Sequence, residues 1–448
     1  MIGQRGSSEV TIFALSSAPG PAGIAVVRAS GADAGDALAA TIDGPVPPPR
    51  RAAYRAIIDP ATGDLLDRAL VLWFPAPASA TGEAIAEWHI HGGRAVVGAL
   101  LEALGALPGM RPAEAGEFSR RAFLNAKMDL TAIEGLADLV AAETEAQRRQ
   151  AVRQMDGALG TLYEEWRHAL VAALAHVESV FDFSDQDLPE GLIAGAVATA
   201  RSVADAMRAH LDDSHRGERL RDGVLVAVVG PPNAGKSSLV NALARRDVAI
   251  VNERPGTTRD VIEVHLDLGG VPVTVADTAG LRDTGDAVEQ EGVRRARRRA
   301  ADADVVLAVF DSVGFDEAAI AGSADIPTDA LVILNKADLV EQPPADQVAG
   351  RRALAVSCLT GVGLERLVTV VAECASACVG EGLGPTRARH RAALTTCVGA
   401  LARLDHVPEA ELVAEEFRVA TQALGRLTGR VDVEDILDVV FAEFCIGK

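Results

Sequence analysis

The chain has 448 residues, room for about three domains at roughly 150 residues each, and its 49% hydrophobic content supports sizeable cores. Its 43 basic and 63 acidic residues leave a net charge of −20, which argues against a surface that grips nucleic acid all over, though a local patch or a partner subunit could still bind RNA. Five cysteines are sparse. With no basic-then-apolar leader at MIGQRGSSEV and no run near ~18 apolar residues, the chain reads as reduced, cytoplasmic and without a membrane span.

Residues 1–124 mix short strands (24–27 and 69–74) with Gly/Pro turns, and residues 96–107 carry a helical apolar pattern. This predicts an α+β domain with no nucleotide motif. Its charged residues near turns, Arg28, Glu87, His91, Arg111, Glu117 and Lys127, are either ligand groups or plain surface. From Leu130 the pattern changes. Leu130, Ile133, Ala137 and Val140 recur at helical spacing, and alanine-rich helix continues to about His210, interrupted at 181–189.

At 224–229 a β-branched run predicts a buried parallel strand, and GPPNAGKS follows it at 230–237. This fits G-x-x-x-x-G-K-[ST]. Glycines let successive N–H groups turn toward phosphate oxygens, Lys236 adds charge, Ser237 a hydroxyl for Mg²⁺, and the following helix its N-terminal dipole. Strands and helices then alternate to about residue 378, with strands predicted at 304–310, 330–334 and 353–356, as in a doubly wound parallel sheet. Residues 262–268 alternate, Gly269 and Gly270 turn the chain, and 271–276 complete an antiparallel hairpin at the sheet edge. Residues 385–448 return to amphipathic helix, so the nucleotide domain reads as an insertion in a helical one. Cys374 and Cys378, one helical turn apart without nearby histidines, read as small buried hydrophobes.

Four further motifs follow in order. Gly256-Thr257-Thr258-Arg259-Asp260 offers Thr258 as a hydroxyl for Mg²⁺ and the γ-phosphate, and Asp277-Thr278-Ala279-Gly280 ends a strand with a carboxylate for the metal. In Asn335-Lys336-Ala337-Asp338 the aspartate can accept from both N1–H and the 2-amino group of guanine, whereas adenine would leave it unpaired. Ser357-Cys358-Leu359 stands where the last base-contacting loop belongs. Together these predict GTP binding. Leu281 occupies the place where many switch GTPases carry a water-orienting glutamine, and no arginine finger is evident. Asn233 could instead ligate a monovalent cation, and Asp283, Asp286, Glu289 and Glu291 could orient water or merely face solvent. The basic run 293–300 (VRRARRRA) reads as a salt-bridged helix face in preference to an RNA site.

These motifs resemble the MnmE (TrmE) family of tRNA-modification GTPases over nearly the whole chain. The resemblance rests on TIFALSSAPGPAGIAVVRASG, TGEAIAEWHIHGG, GEFSRRAFLNAKMDL, GPPNAGKSS, IVNERPGTTRD, DTAGLRDT, NKAD and the terminal CIGK. It implies a multidomain α/β and α protein: an N-terminal α+β tetrahydrofolate-binding and dimerisation domain (1–124), a helical domain in two parts (125–220 and 383–448), and an inserted Ras-like P-loop G domain with a mostly parallel sheet (221–382). It implies a homodimer that works on tRNA with an MnmG (GidA)-type FAD protein, in a heterotetramer or larger complex. Together they would add an aminomethyl or carboxymethylaminomethyl group at C5 of wobble uridine 34, taking the carbon from 5,10-methylene- or 5-formyltetrahydrofolate, with FAD and NADH on the partner only.

Carried over by motif, GTP would meet Asn233, Ala234, Gly235, Lys236, Ser237 and Ser238; Asn252, Glu253, Arg254, Pro255, Gly256, Thr257 and Thr258; Asp277, Thr278, Ala279 and Gly280; Asn335, Lys336, Ala337 and Asp338; and Ser357, Cys358 and Leu359. Ser237 and Thr258 would hold Mg²⁺; Asn233, Asn252, Arg254 and Thr257 would surround K⁺, which replaces the arginine finger; and catalytic Glu289 would position water. Arg28, Glu87, Lys127 and Lys448 would contact folate, with Cys445 a possible further site residue; as a prenylation box its tail fits poorly. Ala84, Ala115 and Cys358 depart from the family pattern. A regulatory GTPase switch acting in ribosome or RNA assembly is the alternative, and it would have no use for the folate-like block or the CIGK tail.

Overall fold

The computed structural model describes residues 10–182, 191–246, 248–250, 263–277, 302–321, 326–341, 346–380, 382–407, 409–431, 436–437, 440–441, 444 and 447. Two compact units divide the chain: the first draws on 1–137, 154–168 and 421–448, the second on 138–153 and 169–420.

In the first unit the chain runs β1 (Thr11–Leu15), β2 (Ala25–Ser30), α1 (Ala34–Ala40), β3 (Ile42–Asp43), β4 (Ala53–Ile58), β5 (Leu65–Phe74), β6 (Ile85–Ile90), α2 (Arg94–Gly105), β7 (Met110–Pro112) and α3 (Glu117–Leu124). The strands form one sheet in the order β3-β4-β5-β6-β2-β1-β7, antiparallel except where β7 joins β1. Strand period two sorts the faces. Ala25, Val27 and Ala29 of β2 pack with Trp88 of β6 and Leu38, Leu100 and Leu104 of α1 and α2. The opposite face sets Ile12 and Ala14 against Phe118 of α3. Arg28 belongs to that second face. The expected strand at 24–27 begins one residue later because Ile24 stands exposed at the sheet rim, and the strand at 69–74 extends back to Leu65.

The helical stretches are α4 (Leu130–Ala141), α5 (Glu145–Met155), α6 (Ala158–Asp182), α7 (Leu192–Leu211) and α8 (Arg216–Asp222). An alternating α/β region follows: β8 (Val224–Val229), α9 (Lys236–Ala244), β9 (Glu263–Leu268), β10 (Val271–Asp277), β11 (Val305–Asp311), α10 (Glu317–Ala321), β12 (Leu331–Asn335), β13 (Gln347–Val348), β14 (Arg351–Ala355) and α11 (Leu364–Cys378), succeeded by α12 (Ala388–Arg403) and α13 (Ala410–Thr428). The sheet order is β13-β14-β12-β11-β8-β10-β9. Its central pairs are parallel, and β9 adds itself antiparallel at one edge through the Gly269–Gly270 turn. The predicted hairpin and mostly parallel sheet are therefore the observed ones. Cys374 and Cys378 pack against the core of this sheet.

Candidate functional site

The phosphate loop sits where a buried strand must hand the chain to a helix. β8 lies between β10 and β11, and Val224, Val226 and Val228 are wholly buried. Gly230 (φ +140°) passes so close to β11 that a Cβ there would lie 2.1 Å from the Val309 carbonyl oxygen. Gly235 (φ +93°) caps α9 in the left-handed region, and its Cβ would meet Asn335 Nδ2 at 2.1 Å. Both positions require glycine for φ and for space. The amides that open α9 then face outward as an anion cradle. Lys236 arches back over the loop, its Nζ donating to the Gly230 and Pro231 carbonyls at 2.9 Å each.

Asn335, buried at the end of β12, ties this loop to the segment at 357–359. Its Nδ2 donates to the Ala234 carbonyl at 3.0 Å and its Oδ1 accepts the Cys358 N–H at 3.3 Å. Three sequence segments thus meet on one side chain. Ser357 is fully buried and its Oγ accepts the Thr360 N–H at 3.1 Å, which shapes the last loop. A cleft of ≈ 360 Å³ is lined by Gly235, Ser238, Lys336, Asp338, Cys358 and Leu359. Burial, reinforced by the charge of Asp338, pushes the Cys358 thiol up to about 11, so it stays a neutral wall.

Asn233, Ala234, Gly235, Lys236, Ser237, Ser238, Asn335, Lys336, Ala337, Asp338, Ser357, Cys358 and Leu359 therefore fall around one loop-and-cleft system. Asp277 ends β10, the strand beside β8. Residues 252–258, 278–280, Glu289 and its acidic neighbours, the basic run 293–300, Cys445 and Lys448 lie outside the described residues.

On the N-terminal sheet, Arg28 and Glu87 face each other across β2 and β6. Arg28 Nε and Nη2 approach Glu87 Oε1 at 2.9 and 2.8 Å, and His89 Nε2 lies 3.2 Å from Glu87 Oε2. The Arg28 guanidinium also stands 5.9 Å from the Phe118 ring centroid. Gly447 meets the same sheet: a Cβ on it would lie 2.1 Å from the Leu15 carbonyl oxygen, and Leu15 pairs with Val27 beside Arg28. Exposed Lys127 approaches the Gly82 turn, where its Cε would lie 3.2 Å from a Cβ on that glycine.

Sequence reading missed the centre of this region. Arg121 of α3, 5% exposed, donates through Nη1 to Glu83 Oε2 (2.9 Å) and the Ser30 carbonyl (3.2 Å), and through Nη2 to the Val10 carbonyl (3.0 Å) and Glu117 Oε1 (3.1 Å). Ser30 Oγ also donates to Glu83 Oε2 at 2.9 Å and contacts Thr81 Oγ1 at 2.7 Å. Arg111 and Glu117 form a bidentate pair at 2.6 and 2.8 Å. Burial alone would push the Glu117 carboxyl up; Arg111, the Glu114 N–H and Arg121 outweigh it and hold it below the usual range. His91 is likewise bound, its ring and N–H meeting Asp67 at 2.8–3.1 Å. The second arginine of the SRR in GEFSRRAFLN was the available signal, since a charged residue at a core-facing helical position needs partners.

A strand–glycine loop–helix cradle, anchored by a buried asparagine at the head of the NKAD turn, defines a P-loop GTPase domain. The surrounding chain makes the assignment more particular. A family model described as the MnmE helical domain matches residues 130–445, and one described as the GTP-binding protein TrmE N-terminus matches residues 11–127. The chain belongs to the MnmE (TrmE) family of tRNA modification GTPases. It is 55% identical to the tRNA modification GTPase MnmE of Rhodospirillum rubrum, covering 98% of this chain and 99% of that one. It is 55% identical to MnmE of Paramagnetospirillum magneticum over the same shares. It is 50% identical to the mitochondrial 5-taurinomethyluridine-[tRNA] synthase subunit GTPB3 of Homo sapiens, over 98% and 94%. The protein is a GTPase acting in tRNA modification. No described helix is long and apolar enough to cross a membrane.

Proposed function

We propose that this GTPase works in the cytoplasm as a homodimer with an FAD-dependent partner of the MnmG type, and that together they build an aminomethyl-derived group on C5 of wobble uridine 34. The observation that carries the nucleotide half is the Asn335 bridge, which holds the phosphate loop and the base-side cleft in one register. The modification half rests on near full-length relatives named for tRNA modification, one of them for a uridine product. The proposed domains are 1–124 for tetrahydrofolate and dimerisation, 125–220 and 383–448 for the helical domain, and 221–382 for the G domain.

Within the G domain, the α9 amides and Lys236 bind and orient the phosphates, and Asp338 selects guanine. Ser237, in the first turn of α9, offers an oxygen donor suited to a hard cation, so Ser237 with Thr258 would hold Mg²⁺. Asn233 offers an amide oxygen from a left-handed loop position (φ +60°) and would share K⁺ with Asn252, Arg254 and Thr257. Both cations would supply positive charge as charge builds on the phosphate oxygens. Glu289 positions the attacking water. On the N-terminal sheet, the Glu87 carboxylate, held by Arg28 and His89, keeps lone pairs for an N–H edge such as that of a pterin. That chemistry fits a folate bound by Arg28, Glu87, Lys127 and Lys448 and supplying the one-carbon unit.

The test is a mass-spectrometric census of tRNA nucleosides from cells lacking the protein. The C5-modified wobble uridine should vanish and return with the wild-type chain but not with Lys236→Ala; an unchanged census would sink the modification reading. GTP hydrolysis should run faster in K⁺ than in Na⁺ at equal ionic strength, and equal rates would remove K⁺ from the mechanism.

A further inference from the structure

A carboxylate outside every motif above holds a lysine that lines the cleft. β11 and β12 run parallel with Asp311 opposite Asn335, and the Ser312 N–H donates to the Asn335 carbonyl at 2.8 Å. Asp311 therefore ends its strand beside the NKAD turn. Its Oδ1 accepts the Val313 N–H at 2.9 Å, so the carboxylate is oriented by its own turn. Its Oδ2 lies 2.5 Å from Lys336 Nζ. Lys336 sits in the left-handed region at φ +62° and lines the cleft together with Asp338 and Leu359. The Lys336 ammonium, with the Val313 N–H, holds the Asp311 carboxyl below its ordinary range.

Lysine carries four rotatable bonds, and a free one would lose that freedom whenever its stem had to wall a bound base. Gripping the ammonium from beyond the cleft orders the stem beforehand. We propose that Asp311 is a positioning residue for nucleotide affinity: it pins Lys336 so that the lysine stem forms a standing wall of the guanine cleft. The inference rests on the nucleotide reading above. The pair is about one-third exposed at each partner, so its effect is moderate.

The experiment measures fluorescent-GDP release and the kcat and KM for GTP of the full chain. Asp311→Asn keeps the turn acceptor and removes the charge. It should speed release and raise KM roughly fivefold, as loss of a charge-assisted, part-exposed pair does, while kcat stays near wild type. Asp311→Glu should recover part of the loss. Lys336→Met, which keeps the stem and drops the ammonium, should show a similar defect, and the double variant should be no worse than either single one. Should Asp311→Asn fail to fold, Lys336→Met alone decides. Wild-type release in either variant, or additive losses in the double variant, would overturn the proposal. Failure of the wild-type chain to bind GDP would instead overturn the nucleotide reading itself.

Discussion

The two ligand-facing regions are built from opposite materials. The phosphate loop is mostly main chain: two left-handed glycines and a helix N-terminus, with one asparagine as anchor. The α3 face of the N-terminal sheet is mostly charged side chain, with Arg121 joining four segments and Glu117 shared by two arginines. The difference teaches where each is fragile. A main-chain cradle tolerates changes in side-chain charge around it but not an added methyl group. A buried ion-pair network does not tolerate removal of one partner's side-chain charge at its most buried position, because the remaining partners stay desolvated.

Arg121→Met should therefore have the largest effect, destabilising the chain by about 3–5 kcal/mol in thermal unfolding while any folded protein still binds fluorescent GDP. A near-neutral result would show that the network is peripheral and break the comparison. Lys236→Ala should leave stability almost intact and lower GTP turnover on the order of 100-fold, since it removes a preorganised charge from the phosphates; a steady-state assay checks this. Gly230→Ala should cost about 2 kcal/mol from left-handed strain and the Val309 contact, and lose nucleotide affinity with it. Equal stability would mean that β11 yields where the structure shows it close.

The smallest effect is acid sensitivity. Glu117 has its folded-state pKa depressed below 4.5, so its contribution is present above that unfolded value and is lost as pH falls below it through the folded value. Unfolding midpoints followed from pH 6 to 3 should drop below about 4.5, and Glu117→Gln should flatten that part of the profile. An unchanged profile would assign acid sensitivity to other carboxylates.

How much was legible follows the same division. The strand at 224–229, the loop after it, the hairpin at Gly269–Gly270 and the NKAD turn could be read because each is local: β-branched runs, glycines at turns and fixed spacings act within a few residues. GTP as the nucleotide followed from those segments standing in order. The N-terminal sheet was legible only in part, as two of its seven strands, since short strands with mixed faces carry little period-two signal. Arg111, Glu117 and His91 left open a choice between ligand and surface, and the structure spends all three on ion pairs or hydrogen bonds within the fold.

By itself, then, the sequence determined the nucleotide cradle, the class of sheet around it and the family, because local backbone conformation is dictated by nearby residues. Only the tertiary structure decided that Arg121 reaches Ser30 and Glu83, that Glu87 answers Arg28, and that Asp311 grips Lys336. Those partners lie 91, 38, 59 and 25 positions apart, and a charge declares its need for a partner without declaring which one.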